Sequence, residues 1–236
     1  MKRNVTTLIG VALLMCSLGR AQDVTLTARV RMLDAEKKVE SSRAENVVVW
    51  LTPIGGANQK PLPKPALRLT QHNKSFEPHV LVVPVGSQVQ FPNRDPFFHN
   101  VFSLFEGKRF DLGLYEAGTT RNVSFDRPGI SYIFCNIHAE MSAAVIALDT
   151  PYYGISNRKG ELVIPNVPPG RYTMRTWYET ALPDSLDAMT KEINVTASTS
   201  TLGVLEISSG TAVAHKNKYG MEYEPPAPSS PAYEHP

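Results

Sequence analysis

The chain has 236 residues, 42% of them hydrophobic and 19% charged, with a formal net charge of +2. That length and composition suit a globular protein of one or two domains and exclude a disordered or low-complexity chain. The near balance of charge gives no footing for nucleic-acid binding.

The start, MKRNVTTLIGVALLMCSLGRA, puts Lys2 and Arg3 before an apolar run at 8–18, then the small residues Gly19 and Ala21. This is the pattern of a cleaved secretory leader over residues 1–21. Its apolar run is 11 residues, short of the roughly 20 that cross a bilayer core. A periplasmic or secreted protein without a membrane span is expected. Cleavage removes Lys2, Arg3 and Arg20, leaving 21 basic against 22 acidic residues, a net charge of −1. It also removes Cys16 and leaves Cys135 as the one cysteine in an oxidising compartment, where cysteines normally pair. A lone exported cysteine needs another reason.

The mature chain opens with Val24, Leu26, Ala28, Val30 and Met32 alternating with Thr25, Thr27, Arg29 and Arg31, the period-2 signature of a half-buried strand. Further strands are predicted at 47–51, 80–83, 87–91, 101–105, 121–125, 130–134 and 143–148, then at 161–164, 171–178, 191–197 and 202–207. Turn clusters such as FPNRDP, DRPG, SNRKG and VPPG separate them. No long stretch has helical periodicity. Short strands at regular spacing predict an all-β protein built from Greek-key sandwiches or barrels. The Pro-rich stretch at 53–66 reads as a linker. The tail at 209–236, ending YEPPAPSSPAYEHP, is too poor in clustered apolar residues to order itself and reads as disordered. His215 and His235 are read as solvated imidazoles of that tail, and His72 and His79 as parts of the fold without a ligand role.

The chemistry concentrates in two segments, FPNRDPFFHNVFS at 91–103 and RPGISYIFCNIHAEMSAAVIAL at 127–148. Cys135 ends an apolar strand, His138 follows three residues on, and Met141 three beyond that. A tight loop between two strands can aim all three side chains at one point. His99 can reach that point from an earlier strand if the two strands are neighbours in a Greek key. Two imidazoles and one thiolate make the trigonal set of a type 1 copper centre, with a long, weak thioether contact on its axis. A structural zinc site wants four strong ligands, and a thioether is a poor fourth. The thiol must lose its proton to bind, so metal occupancy should fall at acid pH.

Taken singly, each of these residues reads equally well as core packing, Cys135 as an inert buried thiol above all. A Cys-His nucleophile pair is the competing chemistry, but only Asn100 and Asn136 are on offer to orient it, and no substrate motif accompanies it.

HNVF together with SYIFCNIHAEM resembles the cupredoxin pattern over residues 67–149, with the CxxHxxM spacing most like that of amicyanin. The resemblance implies His99, Cys135 and His138 as equatorial ligands and Met141 as axial ligand. It implies that Asn100 ties the two ligand loops together by hydrogen bonds and that His138 is the electron exit. The stretch TPYYGISNRKGELVIPNVPPGRYTMRTWYE resembles carboxypeptidase regulatory-like, or transthyretin-like, modules over residues 150–208. In such modules a hairpin similar to VTLTARVRML and NVVVWLTP comes first. Residues 22–52 are therefore expected to complete that sandwich, with the copper domain inserted between. The combination is similar to bacterial proteins loosely labelled methylamine-utilisation proteins.

The expected function is that of an exported one-electron carrier with one type 1 copper and a redox protein as partner, not an enzyme. The alternatives are copper storage or delivery, and a structural, sugar-binding or protein-binding module that copper stabilises. A multicopper enzyme needs further histidine-rich sites, and the six histidines form no HxH pairs.

Overall fold

The computed structural model describes residues 22–33, 39–40, 44–55, 67–104, 107–208, 210 and 215–223. The expected leader at 1–21, most of the Pro-rich linker, and His235 lie outside the described residues. Chain order runs β1 (Val24–Leu33), β2 (Val39–Glu40), β3 (Val48–Pro53), β4 (Leu67–Arg68), β5 (Thr70–His72) and β6 (Ser75–Glu77). It continues through β7 (Val80–Pro84), β8 (Ser87–Pro92), β9 (His99–Ser103), β10 (Phe110–Tyr115), β11 (Thr120–Phe125), β12 (Gly129–Cys135) and β13 (Ser142–Leu148). The last elements are β14 (Tyr153–Ile155), β15 (Glu161–Val167), β16 (Gly170–Trp177), α1 (Pro183–Met189), β17 (Lys191–Val195) and β18 (Thr201–Ser208).

The fold is all-β, as the spacing of short apolar runs predicts. Helix α1 is the exception: it opens on a proline in its first turn, where a missing N–H is harmless, and none of its residues is buried. Among the described residues no helix is long and apolar enough to cross a membrane.

Two sheets enclose the first core. One has the order β15-β1-β18 with β2 beside β1, the other β14-β3-β16-β17. The alternation in β1 puts Leu26, Ala28, Val30 and Met32 inward, where they meet Val47, Val49 and Leu51 near and within β3. β1 runs antiparallel to β15 and parallel to β18. The N-terminal strands thus share a core with residues from 150–208. The expected hairpin between VTLTARVRML and NVVVWLTP does not form. Both strands bury alternate apolar residues in one core, and they do so from opposite sheets.

The second core lies between the sheet β10-β9-β12-β13-β7 and the sheet β11-β8-β4, with the hairpin β5-β6 at the side. Here β9 starts two residues earlier than predicted, so His99 and Asn100 belong to the strand itself. β12 pairs with β9 through Cys135 and Val101, which makes the Cys135 and His99 strands neighbours.

β13 serves two cores at once. Ala143, Val145 and Ala147 face the second core, while Ala144, Ile146 and Leu148 turn to a third cluster with Val80, Val82, Val48 and Trp177. That third cluster joins the two sandwiches, since Val48 and Trp177 come from β3 and β16. A strand apolar on both faces reads as a continuous run, which is why SAAVIAL shows no alternation.

A polar link crosses the same junction. His79 places Nε2 2.6 Å from Glu179 Oε2 and Nδ1 3.1 Å from the carbonyl of Ser142. The hydrogen bond to Glu179 raises the His79 pKa above its ordinary value, against the lowering effect of burial and with the help of the carboxylate charge. A group whose folded pKa is raised stabilises fully below its unfolded pKa of about 6.5 and loses that contribution as pH rises through the folded value. The melting-temperature gap between the native chain and His79→Gln should therefore be widest near about pH 6 and shrink by about pH 9. A gap of the same size at both would show that the ion pair contributes nothing.

Candidate metal centre

Three donor atoms converge at one end of the second sandwich. His99 Nδ1 and His138 Nδ1 lie 3.2 Å apart, and Cys135 Sγ is 3.6 Å from the first and 3.5 Å from the second. His99 and Cys135 are 0% exposed and His138 5%. Among the described residues this is the single group of three or more His, Cys, Asp or Glu side chains placed to hold a metal ion.

The triangle can be tested for fit. With the bond lengths that zinc makes, about 2.0 Å to nitrogen and about 2.3 Å to sulfur, as the scale for a first-row metal, a trigonal plane has edges of about 3.5 Å between nitrogens and about 3.7 Å between nitrogen and sulfur. The observed edges are within a few tenths of an ångström. A trigonal set of two imidazoles and a thiolate is what copper takes in type 1 centres. Met141 is fully buried in the same core cluster as Cys135. Its backbone closes the ligand loop, the Met141 N–H donating to His138 O at 3.2 Å and the Cys135 N–H to Met141 O at 3.3 Å.

Protonation favours neutral imidazoles. Burial pushes the His138 pKa down to about 4, and the neighbouring His99 pushes in the same direction. Burial also lowers His99, against the opposing pull of Asp95. For Cys135 burial raises the thiol, while backbone N–H groups of Ile137, Asn100 and His138 counter it. Those three N–H groups point to the place where thiolate charge must be carried. Metal binding has to displace the thiol proton, so occupancy falls as pH falls.

The His99 ring is held from behind by Asp95, whose Oδ2 is 2.8 Å from His99 Nε2. Asp95 is 3% exposed and also accepts the backbone N–H groups of Asn73 at 2.6 Å and Lys74 at 3.0 Å. Burial alone would raise its pKa, but Lys74 N–H, His99 and Asn73 N–H together hold it below the usual carboxylate value. Asn73 and Lys74 both sit at φ 53° in the β5-β6 turn, so one carboxylate fixes the turn and the imidazole together. Phe97 lies against both rings, its centroid 5.3 Å from His99 and 5.5 Å from His138. Sequence reasoning passed over Asp95 and Phe97. The signal was there in NRDPFFH: an acid four residues before the histidine, with Asn93 Oδ1 accepting the Asp95 N–H at 3.0 Å to set the turn.

Asn100 links the two ligand segments: its carbonyl accepts the Asn136 N–H at 2.8 Å, and its side-chain amide donates to Asp111 Oδ1 at 2.7 Å. His138, read from the resemblance as a surface exit, is nearly enclosed, while the next two residues, Ala139 and Glu140, are exposed. His72 and His79 lie away from the triangle: His72 pairs with Glu77 at 3.6 Å, and His79 is taken up by Ser142 and Glu179.

The tail divides. Residues 209, 211–214 and 224–236 lie outside the described residues, whereas 215–223 folds against the ligand loop. His215 is not a solvated imidazole: its ring stacks on Phe134 at 4.1 Å and 24°. Its neighbours Ala214 and Lys216 give no hint of this. The partner ring is 81 residues away in the chain, and only folding brings the two together.

Removing the Asp95 carboxylate leaves the His99 ring free to turn. Asp95→Ala should weaken copper binding by about 10–100-fold, the usual cost of losing a group that orients a metal-bound histidine, as read by competition with a chelator. Unchanged affinity would mean that packing alone orients the ring.

Comparison with protein-family models finds none that matches the chain, and comparison with curated proteins finds none either. Among solved structures, the chain is similar to a copper-containing nitrite reductase from Thermus scotoductus SA-01, at 24% identity and TM-score 0.35, over 41% of this chain and 25% of that one. It thus spans a quarter of that enzyme. It is also similar to a purple cupredoxin from Nitrosopumilus maritimus, at 21% identity and TM-score 0.32, over 35% of this chain and 99% of the other. An oxidised amicyanin variant matches at 20% identity and TM-score 0.33, over 35% and 82%.

Proposed function

We propose that this chain is an exported type 1 copper protein that carries single electrons to and from a redox protein partner. The convergence of His99 Nδ1, Cys135 Sγ and His138 Nδ1 within 3.6 Å of one another carries this reading. Copper, when bound, supplies a one-electron couple between Cu(I) and Cu(II). The chain supplies a set of donors that need not rearrange: Asp95 holds His99, three backbone N–H groups face Cys135, and the bonds from Met141 N–H to His138 and from Cys135 N–H to Met141 close the loop.

Burial of all three donors supports electron carriage over metal delivery. A donor set shut off from water hands over an ion only after local opening, whereas an electron needs no such opening. His138 is followed directly by the exposed Ala139 and Glu140, so the proposed exit is the His138 edge beside them. The leader pattern at 1–21 supports export, and a redox encounter of this kind needs a contact of less than about 1,200 Å².

The first test is visible absorption on the Cu(II)-loaded chain beside Cys135→Ser. An intense thiolate-to-copper band that is absent from the variant and bleaches reversibly with reductant is expected. A colourless, fully loaded native chain would exclude Cys135 as a ligand and end the type 1 reading. Ala139→Glu should keep the band and slow electron self-exchange, because two copies would then meet with an added carboxylate beside each Glu140. Exchange at the native rate would move the exit elsewhere on the surface.

A further inference from the structure

We propose that residues 215–223 are an outer brace of the metal centre, in which Lys218 and Tyr223 act as positioning residues that clamp the Cys135 loop to the His99 strand. The inference rests on the copper reading for its metal readouts, but the clamp itself is a property of the metal-free chain.

The segment touches the ligand loop at successive residues. His215 stacks on Phe134, Tyr223 donates its hydroxyl proton to the Cys135 carbonyl at 2.6 Å, and the Lys218 N–H donates to Asn136 Oδ1 at 3.0 Å. The Tyr223 oxygen is also 3.1 Å from His215 Nδ1, which ties the two ends of the segment together over the loop.

Its second hold is on the other ligand strand. The Lys218 ammonium donates to Asp111 Oδ2 at 2.8 Å, and Asp111 Oδ1 accepts the Asn100 amide at 2.7 Å. Asn100 follows His99, Asn136 follows Cys135, and the two are joined by the Asn136 N–H to Asn100 O bond at 2.8 Å. The result is a closed circuit of Lys218, Asp111, Asn100 and Asn136 that runs through the residues next to two of the three donors.

Apolar packing at the turn does not account for this placement. Tyr219 and Met221, the segment's large apolar side chains at its turn, are 69% and 59% exposed. The turn is held from within, Asn217 Oδ1 accepting the N–H groups of Tyr219 at 3.0 Å and Met221 at 3.1 Å. The turn thus has bonds of its own besides those it makes to the loop. Its polar bonds gather on the ligand segments, Tyr223 on Cys135 and Lys218 on Asn136 and Asp111.

The function that follows is control of local opening. With the brace in place the Cys135 loop opens less often, so thiol chemistry and metal loss are slowed together.

The test uses the full chain with Tyr223→Phe, Lys218→Met and the two combined. In the metal-free state the rate at which a small alkylating reagent modifies Cys135 is measured well below the unfolding temperature. In the Cu(II) state, release to a chelator and the position of the thiolate-to-copper band are followed. Each single variant should speed both alkylation and copper release by about tenfold, the low end for loss of hydrogen bonds that hold metal ligands. The band should shift, which a merely stabilising segment would not cause. Native alkylation rates in all three variants would overturn the brace. A native chain that binds copper without the band would overturn the copper reading instead, and the alkylation rates would still decide the brace on their own.

Discussion

A thiol and two imidazoles are packed together almost entirely out of reach of water, and much of the surrounding architecture answers the polar atoms that this leaves behind. A buried polar group without a partner costs a few kcal/mol, so a donor that faces inward to the metal position gains when protein meets its other side. Asp95 does this for His99, and the N–H groups of Asn100, Ile137 and His138 do it for the Cys135 sulfur. The requirement propagates outward. Asp95 is itself buried and is answered by the turn at Asn73 and Lys74, so the β5-β6 hairpin, remote from Cys135 in the chain, becomes part of how one imidazole is aimed.

Rigidity of the ligand loop comes from the strand that follows it. β13 leaves Met141 and is gripped on both faces, by the core of its own sandwich through Ala143 and Val145 and by the junction cluster through Ala144 and Ile146. A strand exposed on one face can flex toward solvent; one buried on both cannot move without opening a cavity in each core. The first sandwich thus has a physical role for the site even though it contributes no donor atom. It supplies Val48 and Trp177 to the junction, and Glu179 to the His79 link that sits against the carbonyl of Ser142, directly after Met141. For the electron carriage proposed above this matters because a site that keeps its geometry in both oxidation states avoids the cost of rearranging at each transfer.

The enclosure of His138 and the fold-back of residues 215–223 point the same way. A site intended to pass a metal ion on would gain from an exposed donor, and here the most exposed of the three is 5% open. Electrons cross a few ångströms of packed protein without any such opening, so a closed site and an active one are compatible.

Local pattern alone determined a good deal. The strict alternation at 24–32 could only be a one-sided strand, and the three-residue steps from Cys135 to His138 to Met141 put a thiol, an imidazole and a thioether in one loop whatever the rest of the chain did. Softness of those donors then named copper. What the sequence left open were the relations between segments far apart in the chain. VTLTARVRML and NVVVWLTP carry the same kind of pattern whether they pair with each other or face each other across a core, and it is β15, β16 and β18 competing for their edges that places them in opposite sheets. SAAVIAL is apolar throughout, so periodicity could not reveal that it faces two cores. His215, Lys218 and Tyr223 lie in a polar, Pro-flanked tail with no periodic signal, because what orders them is a carbonyl at 135, an amide at 136 and a carboxylate at 111. Such contacts depend on distance in space, not on spacing in the chain, and only the tertiary structure decides them.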